Sequence, residues 1–276
     1  EMALRTIVAM DASAWLGLRP TEDPMRWALP VTPGISTWGN FLFGGCALGA
    51  AISALEASTG RPLVWATAQY LAYAEPPSVL DIDVTAAVAG RSITQARATG
   101  HVGTTEVVTV NAALGDRDVD LSGSWAEPPK VPDADQCEPR PPRVPGGVSI
   151  ETRLDMRLAH ARTWDEVDGN PSPDGRSALW VRVPDMLDLS SGAGLAILGD
   201  YVPFGIGQAL GRPQRVNSLD NTLRVYRLVP TEWVLLDIRV QAVARGFGHG
   251  IVHLWSEDRV LLATASQSTI VRAARF

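Results

Sequence analysis

An internal repeat is the feature that most constrains how this chain can fold. The segment DIDVTAAVAG at residues 81–90 reappears as DIRVQAVARG at residues 237–246, in register and 156 residues further along. Apolar residues alternate in both copies, as they do on strands that bury one face. Two further strand-like segments follow each copy, so each half of the chain predicts an antiparallel meander.

A candidate helix precedes each meander. The segment GGCALGAAISALEAST, at residues 44–59, has apolar residues at helical spacing, with alanines that permit close packing. The second candidate covers residues 192–211 and contains Pro203, which should end or kink that helix nearby. Each half therefore predicts a central helix and an antiparallel sheet, which is an α+β architecture.

A stretch rich in proline separates the two halves. It begins AEPPKVPDADQCEPRPPRVPGG at residue 126, and proline at this density predicts an extended connector rather than a helix or a ladder. We expect an N-terminal unit over residues 1–125, a Pro-rich linker over 126–148 and a C-terminal unit over 149–276.

Charge and composition exclude several classes of protein. A net charge of −6 and a pI near 5.3 argue against nucleic-acid binding, and no apolar run is long enough for a membrane span. Cys46 and Cys137 make no disulfide framework, and no signal-peptide pattern is evident, so we expect a cytoplasmic protein. His249 and His253 lie about 13 Å apart on a strand, too far to share a metal, and we expect no metal or cofactor.

Motifs in both halves resemble one family. The segments SLDNTLRVYRLVPTEWVLLDIRV (218–240) and GFGHGIVHLWSEDRVLLATASQSTIVR (246–272) are similar to the C-terminal half of the acyl-CoA thioesterase II family. That half carries a Ser/Thr-Leu/Ile-Asp element, a Glu-Trp-Leu-Leu run and a closing Ala-Ser-x-x-Gln strand. In the first half, FGGCALGAAISAL resembles the family's Gly-Gly helix start. The resemblance implies a double hotdog fold, in which each repeat wraps an antiparallel sheet around a central helix.

The resemblance also implies a catalytic site. The family holds a hydrolytic water with an acid, a hydroxyl and an amide, which match Asp200, Ser218 and Gln267 here. It implies hydrolysis of fatty acyl-CoA to free fatty acid and CoA. The chain departs from the family at Asn221, where the family often has His, and at Ser218, where Thr is commoner. The repeat offset matches Gln267 with Asn111, and no acid of the first helix matches Asp200, so we expect one trio per chain.

The proposed chemistry suits these residue types. A carboxylate in an apolar pocket has a raised pKa and can act as a general base, and Asp200 is flanked by apolar residues. The backbone N–H groups of Gly44 and Gly45, at a helix start, could polarise the thioester carbonyl opposite the trio, although both could equally be packing glycines. Taken singly, the members of the trio fit structural roles; their joint occurrence at family positions favours a site. Cys46, also in the first helical turn, has no paired His and is better explained as a small buried residue.

Substrate contacts are less constrained. Three arginines are candidates for the CoA phosphates, although solvated surface roles fit them too: Arg91, Arg224 and Arg272. Three aromatic residues are candidates for the walls of an acyl pocket, or for the core: Trp38, Phe41 and Phe43.

The sequence leaves two alternative functions to weigh and also predicts self-association. A double hotdog protein without activity, binding acyl-CoA or a protein partner, stays open because the residues after Gln267 differ from the family's. A hydratase or dehydratase is disfavoured because no suitably placed His follows an Asp. We expect a homo-oligomer, since a hotdog sheet leaves an edge strand and one face to cover.

Overall fold

The computed structural model describes residues 10–144, 146–163, 165–167, 169–186, 189–212 and 214–273. The α-helices are α1 (Ala12–Leu16), α2 (Gly44–Thr59), α3 (Gly192–Gly199) and α4 (Val202–Leu210). The strands before the linker are β1 (Arg19–Pro20), β2 (Arg26–Val31), β3 (Leu63–Tyr70), β4 (Ser78–Ala89), β5 (Ile93–Val102) and β6 (Thr105–Gly115). The later strands are β7 (Glu138–Pro139), β8 (Asp155–His160), β9 (Arg176–Arg182), β10 (Gln214–Ser218), β11 (Asp220–Val225), β12 (Val234–Ala244), β13 (Phe247–Ser256) and β14 (Leu261–Ala273).

The two halves share one strand order. The first half runs β2-β4-β5-β6-β3 across the sheet, and the second runs β9-β12-β13-β14-β11. Antiparallel pairing of β3 with β11 joins them into one continuous sheet. Thr67 and Thr222 face each other on these two strands, and their Oγ1 atoms lie 2.9 Å apart. This is the double hotdog arrangement that the sequence predicted.

The two central helices pack closely because glycines line their contact. A Cβ atom added at Gly45 would lie 2.7 Å from the carbonyl oxygen of Ile197, and one at Gly49 would lie 3.0 Å from that of Ala193. These paired contacts run in opposite chain directions, so α2 and α3 are antiparallel. The prediction of α2 over residues 44–59 is confirmed, and Gly60, whose φ of +65° suits glycine, caps the end of this helix.

The second helix is broken close to Pro203, as the sequence predicted. Helix α3 ends at Gly199 and α4 begins at Val202, so the break lies at Asp200 and Tyr201, while Pro203 occupies the first turn of α4. Proline has no N–H to donate to the carbonyl four residues before it, and it is tolerated in a first turn. The helix therefore stops before Pro203, and its break places Asp200 at a helix end.

The Pro-rich segment does more than connect the halves. It contains a short 3₁₀ helix and strand β7, and its residues Ala134 and Cys137 are buried against the outer face of the second half of the sheet. The Trp180 indole N–H donates to the Pro132 carbonyl at 2.9 Å. Proline prevents long helices and strands but does not prevent packing, so this part of the linker packs against the second half of the sheet.

The 156-residue offset of the repeat does not hold on β6 and β14, the last strands of the two halves. Asn111 is exposed between the buried residues Val110 and Ala112, whereas Gln267 is buried. Side chains on a strand alternate, so an error of one residue in register exchanges the inner and outer faces. Asn111 therefore points away from the helix-facing side on which Gln267 lies, and the match between them predicted from the offset is wrong.

Candidate active site

The break in the second helix places the Asp200 carboxylate in the interior. The side chain is only 6% exposed, yet both of its oxygens accept hydrogen bonds. Oδ1 accepts from the Ser218 hydroxyl at 3.1 Å and from the Gln267 amide. Oδ2 accepts from the backbone N–H of Gly45 at 2.8 Å. A buried charge of this kind needs such donors, since burial without them is costly.

Gln267 uses both ends of its carboxamide. Its Nε2 donates to Asp200 and also to the Ser218 hydroxyl oxygen at 2.9 Å, while its Oε1 accepts the Val202 N–H at 3.0 Å. That N–H belongs to the first turn of α4, which has no intrahelical acceptor for it. The structure thus brings the three predicted residues into direct contact, and the one amide on the inner face of β14 is fully paired.

Ser218 is positioned by a short interruption between two strands. Both β10 and β11 pair with β14, and Ser218 lies opposite Thr269 at the end of β10. Between them, the Leu219 N–H donates to the Ser268 carbonyl, and Asp220 accepts the Ser268 N–H at 2.8 Å. The acid of the Ser-Leu-Asp element is therefore occupied in holding this turn, while its hydroxyl faces Asp200.

Burial controls the ionisation of this site. It raises the pKa of Asp200 from 3.8 to about 6, and the hydrogen bonds from Gln267, Gly45 and Ser218 oppose this rise. Burial also raises the pKa of the Cys46 thiol far above its usual range, which keeps it neutral at physiological pH and in line with a structural role.

The two glycines at the start of α2 lie against the carboxylate. Gly45 donates its N–H to Asp200, so the structure places this group on the acid itself, whereas the sequence suggested a position opposite the trio. A Cβ atom at Gly44 would lie 2.7 Å from Asp200 Oδ2 and 3.1 Å from the Tyr70 hydroxyl. That hydroxyl donates to the Gly44 carbonyl at 2.9 Å. The absence of a side chain at Gly44 therefore leaves space beside Oδ2.

A cavity of about 940 Å³ opens beside the trio, with Asp200, Ser218 and Gly44 in its wall. The three aromatic residues that the sequence suggested for an acyl pocket also line it: Trp38, Phe41 and Phe43. Of the three suggested arginines, Arg272 lines the cavity, whereas Arg91 and Arg224 are not among its lining residues.

Comparison with known proteins decides the family. The acyl-CoA thioesterase N-terminal domain matches residues 32–115, and the acyl-CoA thioesterase C-terminal domain matches residues 128–271. The chain belongs to the acyl-CoA thioesterase family. No curated protein sequence matches it.

Solved structures agree with this assignment. A candidate thioesterase from Novosphingobium aromaticivorans DSM 12444 is 32% identical, with a TM-score of 0.82 over 93% of this chain and 98% of its own. A hot dog fold protein of unknown function from Alicyclobacillus acidocaldarius is 20% identical, with a TM-score of 0.80 over 92% and 96%. The acyl-CoA thioesterase II TesB2 of Mycobacterium marinum is 17% identical, with a TM-score of 0.71 over 96% and 98%. The last two show likeness of fold.

Two arginines that line the cavity were not predicted from the sequence. Arg140, from the Pro-rich segment, has a side chain only 5% exposed, pairs with Glu151 at 3.3 Å and lies 5.2 Å from the centre of the Phe204 ring. Arg143, from the same segment, lies 4.5 Å from the centre of the Trp38 ring. A proline-rich segment has no periodic pattern that could have indicated which of its side chains point inward.

Asn221, where the family often has His, is fully buried on the helix-facing side of β11. Its amide lies close to Tyr70, yet among the described residues neither its Oδ1 nor its Nδ2 meets a hydrogen-bond partner. Burial raises the pKa of the Tyr70 hydroxyl, with the charge of Asp200 as the next cause, so this hydroxyl stays protonated as a donor.

Two kinds of feature are absent from the described parts of the chain. No cluster of three or more His, Cys, Asp or Glu side chains there is arranged to hold a metal ion. None of the helices formed by those residues is long and apolar enough to cross a membrane.

Proposed function

We propose that this chain hydrolyses the thioester of fatty acyl-CoA to free fatty acid and CoA, with Asp200 as general base. One observation carries the proposal. Asp200 is a buried carboxylate with a pKa raised to about 6, held by Ser218 and Gln267 in the wall of a large cavity. A base with a pKa near 6 is largely ionised at neutral pH and can still take a proton. Family membership supports the class of reaction.

The attacking water would bind beside Oδ2 of Asp200. An ionised carboxylate offers about four acceptor positions, and three are occupied by Ser218, Gln267 and Gly45. The free position would lie on the side where Gly44 leaves space. A water there would donate one proton to Asp200 and aim a lone pair at the thioester carbon. The trio acts by fixing the carboxylate, which fixes the direction of attack.

The proposed reaction uses only the thioester, a water molecule and the Asp200 carboxylate. The water oxygen bonds to the thioester carbon as Asp200 takes its proton, and the carbonyl oxygen gains the negative charge. Collapse of this tetrahedral species breaks the C–S bond, and the proton on Asp200 goes to the departing CoA sulfur. The N–H of Gly44, in the first turn of α2, stays the proposed donor to the oxyanion, since such groups lack an intrahelical acceptor. The Gly45 N–H instead stabilises the ionised base.

The acyl chain would occupy the aromatic part of the cavity. Phe41 and Tyr73 contact each other there, with ring centres 4.7 Å apart, and Phe43 and Tyr201 form an edge contact at 6.3 Å. Apolar and aromatic walls with a few polar groups at one end are typical of small-molecule sites.

CoA release tests the proposal. A thiol reagent would follow hydrolysis of acyl-CoAs of increasing chain length by the intact chain, by Asp200→Asn and by Gln267→Ala. We expect a loss of at least about 100-fold in kcat for Asp200→Asn, within the range attributed to a general base. Two exposed residues give matched controls, Asp120→Asn and Gln241→Ala, which should retain activity.

The outcomes separate the function from its alternative. Tight binding of acyl-CoA with no CoA release would favour a protein that binds without catalysis. Release that survives both site substitutions would refute the assignment of the trio while leaving the family assignment intact.

A further inference from the structure

One peptide unit at the start of α2 lies between Tyr70 and Asp200. The Tyr70 hydroxyl donates to the carbonyl oxygen of this unit, that of Gly44, at 2.9 Å. The N–H of the same unit, that of Gly45, donates to Asp200 Oδ2 at 2.8 Å. Two hydrogen bonds therefore run in one direction, from the phenol through the amide to the carboxylate. Tyr70 is thus connected to the acid, although among the described residues no direct hydrogen bond joins the two side chains.

Tyr70 is held through its main chain as well as its hydroxyl. Its backbone N–H donates to the Leu219 carbonyl at 2.9 Å, and Leu219 follows Ser218 in the turn between β10 and β11. Tyr70 is also the last residue of β3, the strand that joins the first half of the sheet to the second. One residue therefore links the turn that carries the hydroxyl of the trio with the helix start that contacts its acid.

The start of α2 depends on Asp200 for its cap. Phe43 precedes this helix, and its side chain accepts no hydrogen bond from the first turn. The N–H groups of a first turn have no acceptor within the helix. The Asp200 carboxylate, at the end of α3, accepts one of them, that of Gly45. The positive end of a helix also favours a negative charge beside it. This N–H is therefore one of the groups that favour the ionised acid.

We propose that Tyr70 is a positioning residue for the general base and acts on Asp200 through the Gly44–Gly45 peptide unit. This proposal rests on the proposed function. A hydrogen bond to an amide carbonyl makes the N–H of the same amide a stronger donor, and such cooperative strengthening is about 10–30% per bond. The Tyr70 hydroxyl therefore favours the ionised form of Asp200. It also restrains two adjacent glycines, which have more backbone freedom than any other residue.

The ionisable neighbours of this chain of hydrogen bonds are neutral. Burial raises the pKa of the Tyr70 hydroxyl, of the Tyr201 hydroxyl and of the Cys46 thiol, so all three keep their protons between pH 5 and 8. Within the described structure, burial and three hydrogen bonds, rather than another charge, set the pKa of Asp200. A titration in this range can therefore be assigned to the carboxylate.

Charged groups act on these neutral neighbours. Asp220 acts on Tyr70, Arg153 acts on Cys46, and the ion pair of Arg140 with Glu151 acts on Tyr201. Substitution of Tyr70 alone leaves all of these charges in place. A shift in the titration of Asp200 would then report the loss of the hydroxyl.

Removal of one oxygen atom tests the role of the hydroxyl. Tyr70→Phe deletes the donor to the Gly44 carbonyl and keeps the ring that lines the cavity. We expect the pKa of Asp200 to rise by roughly 0.2–0.6 pH unit, the cooperative share of a hydrogen bond to a charged group. Relative to the unaltered chain, kcat/KM should then be about twofold to fourfold lower at pH 5 than at pH 8.

The carboxyl group itself gives the direct measurement. Carbon-13 NMR of protein labelled at its aspartate carboxyl carbons follows the titration of Asp200, whose signal is identified by its absence in Asp200→Asn. Tyr226→Phe is the matched control, because Tyr226 is exposed, its hydroxyl lies 2.9 Å from Thr264 Oγ1, and it is not among the cavity-lining residues. This control should leave the titration of Asp200 unchanged.

A stronger donor at the same position should give the opposite shift. Incorporation of 3-fluorotyrosine at position 70 makes the hydroxyl more acidic, so it should lower the pKa of Asp200. A role of Tyr70 confined to packing would give no such reversal. This variant keeps both the ring and its hydrogen bond, so the test remains decisive even if Tyr70→Phe does not fold.

The outcomes separate this inference from the proposed function. An unchanged titration of Asp200 in Tyr70→Phe, or an equal shift in Tyr226→Phe, would overturn the role of Tyr70. A loss of activity by the same factor at every pH would overturn it as well. If the carboxyl titration shifts as expected but the unaltered chain hydrolyses no thioester, the proposed function is refuted while the link between Tyr70 and Asp200 stands.

Discussion

The carboxamide oxygen of Gln267 accepts the backbone N–H of Val202 at 3.0 Å, across the break between the two halves of the second helix. One side chain thereby satisfies a helix start and, through its Nε2, holds the Asp200 carboxylate. The geometry of the acid depends on this amide, which makes Gln267 a positioning residue as well as a member of the trio. The consequences of this arrangement can be measured.

The ionisation of Asp200 should set the acid limb of activity. Because burial raises its pKa to about 6, the fraction of ionised base falls as the pH drops below that value. We expect kcat/KM for acyl-CoA to decrease about tenfold per pH unit well below pH 6 and to be level above pH 7. A profile without an inflection between pH 5 and 7 would show that Asp200 is not the base.

The same carboxyl should make the fold less stable as the pH rises. Its pKa is raised in the folded state above the usual 3.8, so the folded chain binds more protons than the unfolded chain between these values. Stability is therefore lost as the pH rises through 6. Relative to Asp200→Asn, the unaltered chain should lose about 1.4 kcal/mol of unfolding free energy between pH 5 and pH 8. Urea unfolding of both proteins at each pH measures this, and a constant difference would contradict it.

Gln267→Ala should lower the stability of the fold and raise the pKa of Asp200. It leaves the Val202 N–H without its acceptor, at a cost of about 1–3 kcal/mol in unfolding free energy. It also removes a hydrogen bond that lowers the pKa of Asp200, so the inflection of the activity profile should move above pH 6. Gln241→Ala, at an exposed strand position, should alter neither quantity. A loss of stability without a shift of the inflection would limit Gln267 to a structural role.

Gly44→Ala should impair catalysis more than folding. The new methyl group would lie 2.7 Å from Asp200 Oδ2 and would fill the space proposed for the attacking water. We expect kcat to fall at least about tenfold, since small displacements of reacting groups are costly. Gly207→Ala in α4 is the matched control, because among the described residues its methyl group would meet only the Arg212 carbonyl oxygen, at 3.9 Å. Full activity in Gly44→Ala would exclude this position for the water.

Asn221→Leu should stabilise the fold. The amide is fully buried without a hydrogen-bond partner in the described structure, and such a group costs about 1–3 kcal/mol, which an apolar side chain of similar size avoids. Unfolding in urea would test this, with exposed Asn111→Leu as a comparison expected to give no gain. A loss of stability on substituting Asn221 would show that the amide is paired in solution.

Much of the fold can be predicted from the sequence because the spacing of apolar residues and the internal repeat are visible in the order of the residues alone. The bounds of α2 and the division into two meanders needed only the spacing of apolar residues. Pro203 predicted a break nearby but not its position, which lies at Asp200 because the missing N–H of Pro203 acts four residues back, on Gly199. Two other cavity arginines were not predicted. Arg140 lies among prolines without a repeat, and the place of Arg215 in the cavity wall, opposite Arg272, depends on a strand register that no single segment reveals.

The contact between Gly45 and Asp200 makes the two copies of the repeat mutually dependent. Only the second copy carries the acid, the hydroxyl and the amide, yet the acid takes one of its donors from the first. The second repeat in isolation would thus lack one of the hydrogen bonds that set the pKa of Asp200, so the site needs both copies. Duplication here leaves the proposed reactive side chains to one copy, while the main chain of the other copy supplies a hydrogen bond to their acid.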